Sequence, residues 1–165
     1  MMLLKIREGI LRRSGQAMVE FALLAPVFFL LLVGTLDFGR AGFYYVVTAD
    51  LARTAARVAV AYDTGTGLSD AAVTSVVAQQ AQAMTFSTLT QPAACGTNTP
   101  PTPLTACYQP TIGNGFIFID RSGFTSFPKY IKVSIVYHFE ATTPMVRALM
   151  STSYLVATAS METEY

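Results

Sequence analysis

The chain offers one histidine, His138, and two cysteines, Cys95 and Cys107, for imidazole or thiol chemistry. A Ser-His-Asp or Cys-His arrangement would have to run through His138. Around it, Ile131, Val133, Ile135, Tyr137 and Phe139 alternate with Lys132, Ser134, His138 and Glu140. That alternation predicts a strand over Tyr130–Glu140 with His138 on its polar, solvent-facing side. So few ligating residues make a histidine-rich or cysteine-rich metal site improbable. The sequence contains no GxGxxG, no phosphate loop and no HExxH, and Gly113-Asn114-Gly115 reads as a turn. Glu162 and Glu164 read as solvated, and Lys129 and Lys132 are too few for a basic patch. No catalytic residue, cofactor or metal is expected, and the chain reads as a non-enzyme.

The remaining acid of interest is Glu20, and its surroundings are apolar. Lys5, Arg7, Arg12 and Arg13 precede it against a single Glu8, and from Ala17 to Leu36 it is the one charged residue. Twenty helical residues span about 30 Å, the thickness of a bilayer core. A carboxylate inside such a segment costs about 2.5–3.5 kcal/mol at mid-bilayer and less near an edge, so it usually has a partner or a function. Three readings compete: a cleaved secretory signal, a plain uncleaved anchor with Glu20 at the interface, and a prepilin-like segment. The run is long for a signal peptide, and Val33-Gly34-Thr35 is a poor cleavage site. The basic flank predicts a cytoplasmic N-terminus with the C-terminal part across the membrane.

Ser14-Gly15-Gln16-Ala17-Met18-Val19-Glu20-Phe21 resembles the prepilin-peptidase motif: a glycine, four mostly small or apolar residues, then Glu and an aromatic. The resemblance implies cleavage after Gly15, Gln16 as the mature N-terminus, and Glu20 as the acid that pairs with the new amine during assembly. Beyond the apolar run come Asp37-Phe38-Gly39-Arg40 and Ala52-Arg53-Thr54-Ala55-Ala56-Arg57. Over roughly residues 14–60 this layout resembles the TadE-like proteins of tight-adherence (Flp-type) pilus systems, with the TadG group as near relatives. Phe21 stands where tyrosine is often found. The resemblance implies a pseudopilin or minor pilin of a bacterial envelope.

The chain divides into a leader (1–15), a long helix (16–61, spanning the membrane over about 17–36) and a head (62–165). No proline occurs between Pro26 and Pro92, so one helix is expected from about Ala17 to Ala61, roughly 65–70 Å long, with a kink at Pro26. Past the membrane, Arg53 and Arg57 share one face, while Leu51, Ala55 and Val58 form a stripe that packs on the head or on another subunit. Phe43, Tyr44 and Tyr45 are suited either to a membrane interface or to helix packing. Asp63–Gly67 is a stop. Ser69 and Asp70 open a second helix to about Met84, with Leu68 and Val73 as a hydrophobic staple.

Thr85–Gly115 holds five of the eight prolines and nine Ser or Thr residues, and reads as an exposed loop. Cys95 and Cys107 bracket its centre, and a periplasmic location favours a disulfide between them. Strands are expected over Phe116–Arg121, Tyr130–Glu140 and Tyr154–Glu164, with a short helix over Met145–Met150. The expected fold is therefore α+β: a long N-terminal membrane helix, a second short helix, and a small antiparallel sheet of about three strands.

A net charge of +1 gives nucleic acid no electrostatic footing. Charged residues at 13% against 52% apolar exclude disorder, and a mean hydropathy of +0.44 suggests membrane contact. The expected partners are the lipid bilayer, a prepilin peptidase and other pilin or pseudopilin subunits, with no small-molecule substrate. The expected location is the bacterial inner membrane, with the head in the periplasm or carried into a surface pilus. The rivals are an uncleaved single-pass envelope protein that scaffolds the machinery, and a tethered periplasmic enzyme.

Overall fold

The computed structural model describes residues 2–61, 69–83, 86–92, 95, 97–124, 129–149 and 153–163. Helix α1 (Met2–Ala61) is followed by α2 (Asp70–Ala83), β1 (Thr88–Thr90), β2 (Asn114–Asp120), β3 (Lys129–Phe139), α3 (Pro144–Leu149) and β4 (Ser153–Thr163). Single 3-10 turns lie at Ala106–Tyr108 and Ser122–Phe124. The chain is α+β, as its patterning predicts, and it forms two units, Met1–Gly39 and Arg40–Tyr165.

The first unit is helix. It begins at Met2 rather than near Ala17. The leader is rich in Leu, Met, Lys and Arg, all good helix formers, and its internal Gly9 costs only about 1 kcal/mol. The helix also runs through Pro26. From Met18 on, large apolar side chains stand exposed: Met18, Phe21, Leu23, Leu24, Phe28 and Leu36 are each more than 60% exposed. Thr35 donates its hydroxyl proton back to the Leu31 carbonyl at 2.8 Å, which satisfies a polar group within the apolar run.

The second unit is built on a sheet of order β1-β2-β3-β4. β3 pairs antiparallel with β4 over eleven consecutive positions, from Lys129↔Thr163 to Phe139↔Ser153, and with β2 from Gly115↔Tyr137 to Asp120↔Lys132. The fourth strand, β1, lies parallel to β2 through Thr88↔Asn114, Leu89↔Gly115 and Thr90↔Phe116. The sheet is thus mixed and four-stranded, where three antiparallel strands were expected. β1 is three residues long and two of them are threonine, so it carries too little periodicity to stand out from its polar loop.

One face of the sheet presents Ile117, Ile119, Ile131, Val133, Ile135, Tyr137 and Phe139 to a core shared with Val47, Leu51, Ala52, Ala55, Ala56 and Ala59 of α1 and Val73, Val77 and Ala81 of α2. The alanines of α1 add little volume to this core, and the branched strand residues supply most of it. Leu51 and Ala55 are fully buried and Arg53 and Arg57 are exposed, so the stripe predicted on α1 packs on the chain's own head.

The other face is covered in part, with Val156, Thr158 and Ser160 of β4 left exposed. Tyr108, Phe118 and Val136 form a second cluster with Cys95, Leu104, Phe116 and Tyr154. The segment after β1, expected as an exposed loop, therefore covers the sheet. Ser134, expected on a polar face, is 1% exposed and hydrogen-bonds the Thr158 hydroxyl at 3.0 Å.

Two glycines are required where the chain enters β2. Gly113 has φ +74°, a left-handed conformation that side chains rarely adopt. A Cβ on Gly115 would stand 3.0 Å from Leu89 and 3.1 Å from Phe86, so β1 could not lie as close. At α2 the Ser69 carbonyl accepts from the Ala72 and Val73 amides at 2.8 and 3.2 Å. Asp70 holds Arg121 at 2.8 Å, tying the start of α2 to the end of β2. Leu68, the other half of the expected staple, lies outside the described residues.

Candidate functional site

Gly15, Gln16 and Glu20 lie inside α1. Gln16 and Glu20 are one turn apart, and Gln16 Nε2 donates to Glu20 Oε1 at 3.3 Å. This bond is exposed and local, as i,i+4 spacing allows. All three residues are exposed, and a Cβ on Gly15 would meet no atom within 4 Å. Neither packing nor backbone conformation therefore requires glycine at position 15, and within a helix glycine costs about 1 kcal/mol relative to alanine. Gly34, Gly39 and Gly42 are equally open. Among the described residues one helix is long and apolar enough to cross a membrane, and its most apolar window, of mean hydropathy 2.3, is unburied. By length and composition this is a membrane-anchoring segment.

Cys95 and Cys107 are joined by a disulfide, with Cα atoms 5.8 Å apart. Beside it, the Tyr108 hydroxyl lies 2.8 Å from the Cys95 carbonyl and 2.9 Å from the Thr97 carbonyl, and it accepts from the Thr97 amide at 3.3 Å. The Tyr108 ring packs on Phe118 at 5.1 Å between centroids. Disulfide and tyrosine together pin the covering segment to the sheet. Thr99 reaches further, donating to Asp120 Oδ2 at 2.8 Å. Burial raises the Asp120 pKa, but hydrogen bonds from the Ser122 amide and hydroxyl and from Thr99, with the charge of Lys132, outweigh it and hold the carboxyl below its ordinary value.

His138 is not the solvent-facing residue its strand position predicts. It is half-buried, its Nδ1–H donates to the Pro110 carbonyl at 2.8 Å, and its ring lies 4.7 Å from that of Tyr154. The covering segment supplies that carbonyl, which is why alternation alone misplaces the residue. Among the described residues no group of three or more His, Cys, Asp or Glu is placed to hold a metal ion.

A group of residues that sequence reasoning missed meets where β3 ends. Tyr44 of α1 stacks on Tyr137 at 5.0 Å and contacts Phe139 at 5.7 Å, so it is a packing residue, whereas Phe43 and Tyr45 remain exposed. Burial, then the neighbouring Tyr44 phenol, pushes the Tyr137 hydroxyl up to about 12. Arg40 donates to the Thr142 hydroxyl and lies over the Phe139 ring, 5.8 Å from its centroid. Arg147 of α3 pairs with Glu140 at 2.9 Å. Only the fold brings Arg40 beside Thr142, 102 residues away, so no local motif marks the group.

No curated protein matches the chain, and no solved structure matches it. One family model does, and its match begins at Gly15 and stays within α1. Over residues 15–57 the chain matches the family model of the TadE-like proteins.

Proposed function

We propose that the chain is a structural subunit of a tight-adherence-type pilus, a pseudopilin or minor pilin, rather than an enzyme. The observation that carries this reading is the apolar helix with its TadE-like match: a segment whose large side chains find no protein partner in their own chain, with a single acid, Glu20, near its start. Such a surface has two uses, contact with lipid and contact with the helices of other subunits. In the proposed cycle the basic leader stays in the cytoplasm and the helix anchors the chain in the inner membrane. The head folds on the periplasmic side, where a disulfide persists. A prepilin peptidase then cuts after Gly15, freeing the amine of Gln16. On extraction into a filament or its initiating complex, Glu20 is neutralised by such an amine, of its own chain or a neighbour's. The open surrounds of Gly34, Gly39 and Gly42 support close helix approach there. The partners in this reading are lipid, the peptidase and other pilin subunits, with neither nucleic acid nor a small-molecule substrate.

Recovery with filaments tests the role. Shearing cells of the native host should release the chain with the pilus fraction, and deleting its gene should abolish or shorten pili. A chain that stays wholly in the membrane fraction, with normal pili in its absence, would contradict it. The uncleaved scaffold remains a second reading, favoured by one observation: α1 passes from Met2 through Gly15 and Gln16 as unbroken helix. Cleavage therefore requires local unwinding, which the glycine eases.

A further inference from the structure

The two edges of β4 are unlike. β3 bonds one of them over eleven consecutive positions, so no bulge interrupts the strand. Among the described residues no strand pairs with the other. In an antiparallel ladder about half the N–H and C=O groups of an end strand point outward. Over Ser153–Thr163 they line an edge of about 35 Å. Proteins commonly blunt such an edge with proline, lysine, a bulge or a very short strand. β1, at the opposite end of the sheet, is blunted: it has three residues, and Pro92 follows two positions later. β4 has none of these devices. Its one charge is Glu162, and Val156, Thr158 and Ser160 stand exposed along it. The core is unfinished at the same edge. Ile131, Val133 and Tyr137 of β3 are buried, whereas Met161, Ala159 and Leu155, opposite them on β4, are only partly buried. At the β1 end, Leu89 and Phe86 are buried. One more strand beside β4 would supply both the missing hydrogen bonds and the missing cover.

A second copy cannot supply that strand through its own β4. Antiparallel pairing of two β4 strands needs a two-fold axis normal to the sheet. That axis reverses whatever lies on the sheet, including the stretch of α1 from Val47 to Ala59 that packs there. The two chains would then lead out of the pair in opposite directions, whereas both must lead to one membrane. Parallel pairing of the same edges would turn one sheet over, so the two core faces would not continue. We propose that the outer edge of β4 takes up an extended segment of a different polypeptide as an added strand. The edge states its chemistry. Residues on one side of the segment are apolar, to continue the layer of Leu155, Ala159 and Met161. Those on the other side are polar, beside Thr158 and Ser160, with a basic residue near Glu162. The proposal concerns Ser153–Thr163 alone, so it stands or falls independently of cleavage at Gly15 and of any filament role.

The test measures amide exchange on the full chain in native envelopes and on the same chain purified in detergent micelles. The β4 amides should exchange about tenfold more slowly in the envelope, the scale of one added hydrogen bond, while β2 changes little. A photo-reactive phenylalanine analogue in place of Ser160 should, in the same envelopes, cross-link to a different polypeptide at a segment of alternating polar and apolar residues. The double variant Val156→Lys, Ser160→Lys puts charge along the edge. It should lose the extra protection in the envelope and keep wild-type β3 exchange in micelles, which shows that the sheet is intact. Equal β4 exchange in envelope and micelle would overturn the proposal, as would full envelope protection in the double variant. An adduct of the Ser160 probe to a second copy of the chain, or Thr158→Cys chains joined to one another by a disulfide, would overturn it too, because the occupant would then be this chain.

Discussion

Glu20 and Tyr137 illustrate how differently two side chains declare themselves. Glu20 is legible in the sequence because a single acid in an apolar run has no local explanation. Glu20→Gln keeps the shape and hydrogen-bonding ability and removes the charge, and the bond from Gln16 is too exposed to matter to the fold. We expect the variant to insert and to keep a protease-resistant head, yet to be recovered several-fold less in sheared filaments. Normal incorporation would return Glu20 to the role of an interfacial residue. Tyr137 is legible only as an inward strand residue, because its partner Tyr44 lies on another element. Its folded pKa, about 12, stands above the ordinary 10.0, so the neutral phenol is the form the fold favours. Its contribution to stability is complete below about pH 10 and is lost as pH rises toward 12. A phenolate absorbance titration should show one tyrosine ionising last, together with loss of the head's folded signal. In Tyr137→Phe that late step should disappear.

At the scale of elements, β2, β3, β4 and α2 are readable because each has a period and a bounded length. The sequence places strands at Phe116–Arg121, Tyr130–Glu140 and Tyr154–Glu164, and the structure has them at Asn114–Asp120, Lys129–Phe139 and Ser153–Thr163. What the sequence conceals is what covers the sheet's second face. The residues after β1 are rich in Thr and Pro, a composition that signals surface, yet Tyr108 and Leu104 among them reach in to Phe118 and Val136. Local composition reports average solvation and not the few side chains that anchor a segment. The disulfide between Cys95 and Cys107 closes this segment, and the chain-entropy model assigns such a bond about 3 kcal/mol. Replacing both cysteines with serine should raise amide exchange in the covering segment and at Phe116 and Phe118. The β3–β4 pairing should change little. Equal loss of protection across β3 and β4 would show that the bond stabilises the whole head.

For the whole molecule, two kinds of surface share one chain. The unit from Arg40 onward buries apolar clusters on both faces of a sheet. In the unit before it, the leucines and phenylalanines described from Phe21 to Phe38 are exposed and require lipid or other helices around them. That division was legible from the run Ala17–Leu36 and from the TadE-like pattern around it, whereas the helix start at Met2 was not, since the charges of Lys5, Arg7, Glu8, Arg12 and Arg13 set the leader apart from the apolar run that marks the helix. The central claim is that this helix is a processed assembly module and not a permanent anchor. The most direct test is the intact mass and N-terminal sequence of the mature chain from the native envelope. The account predicts a chain that begins at Gln16, with Gly15→Val blocking the cut. A mature chain that still begins at Met1 or Met2 in a cell that assembles pili would contradict it.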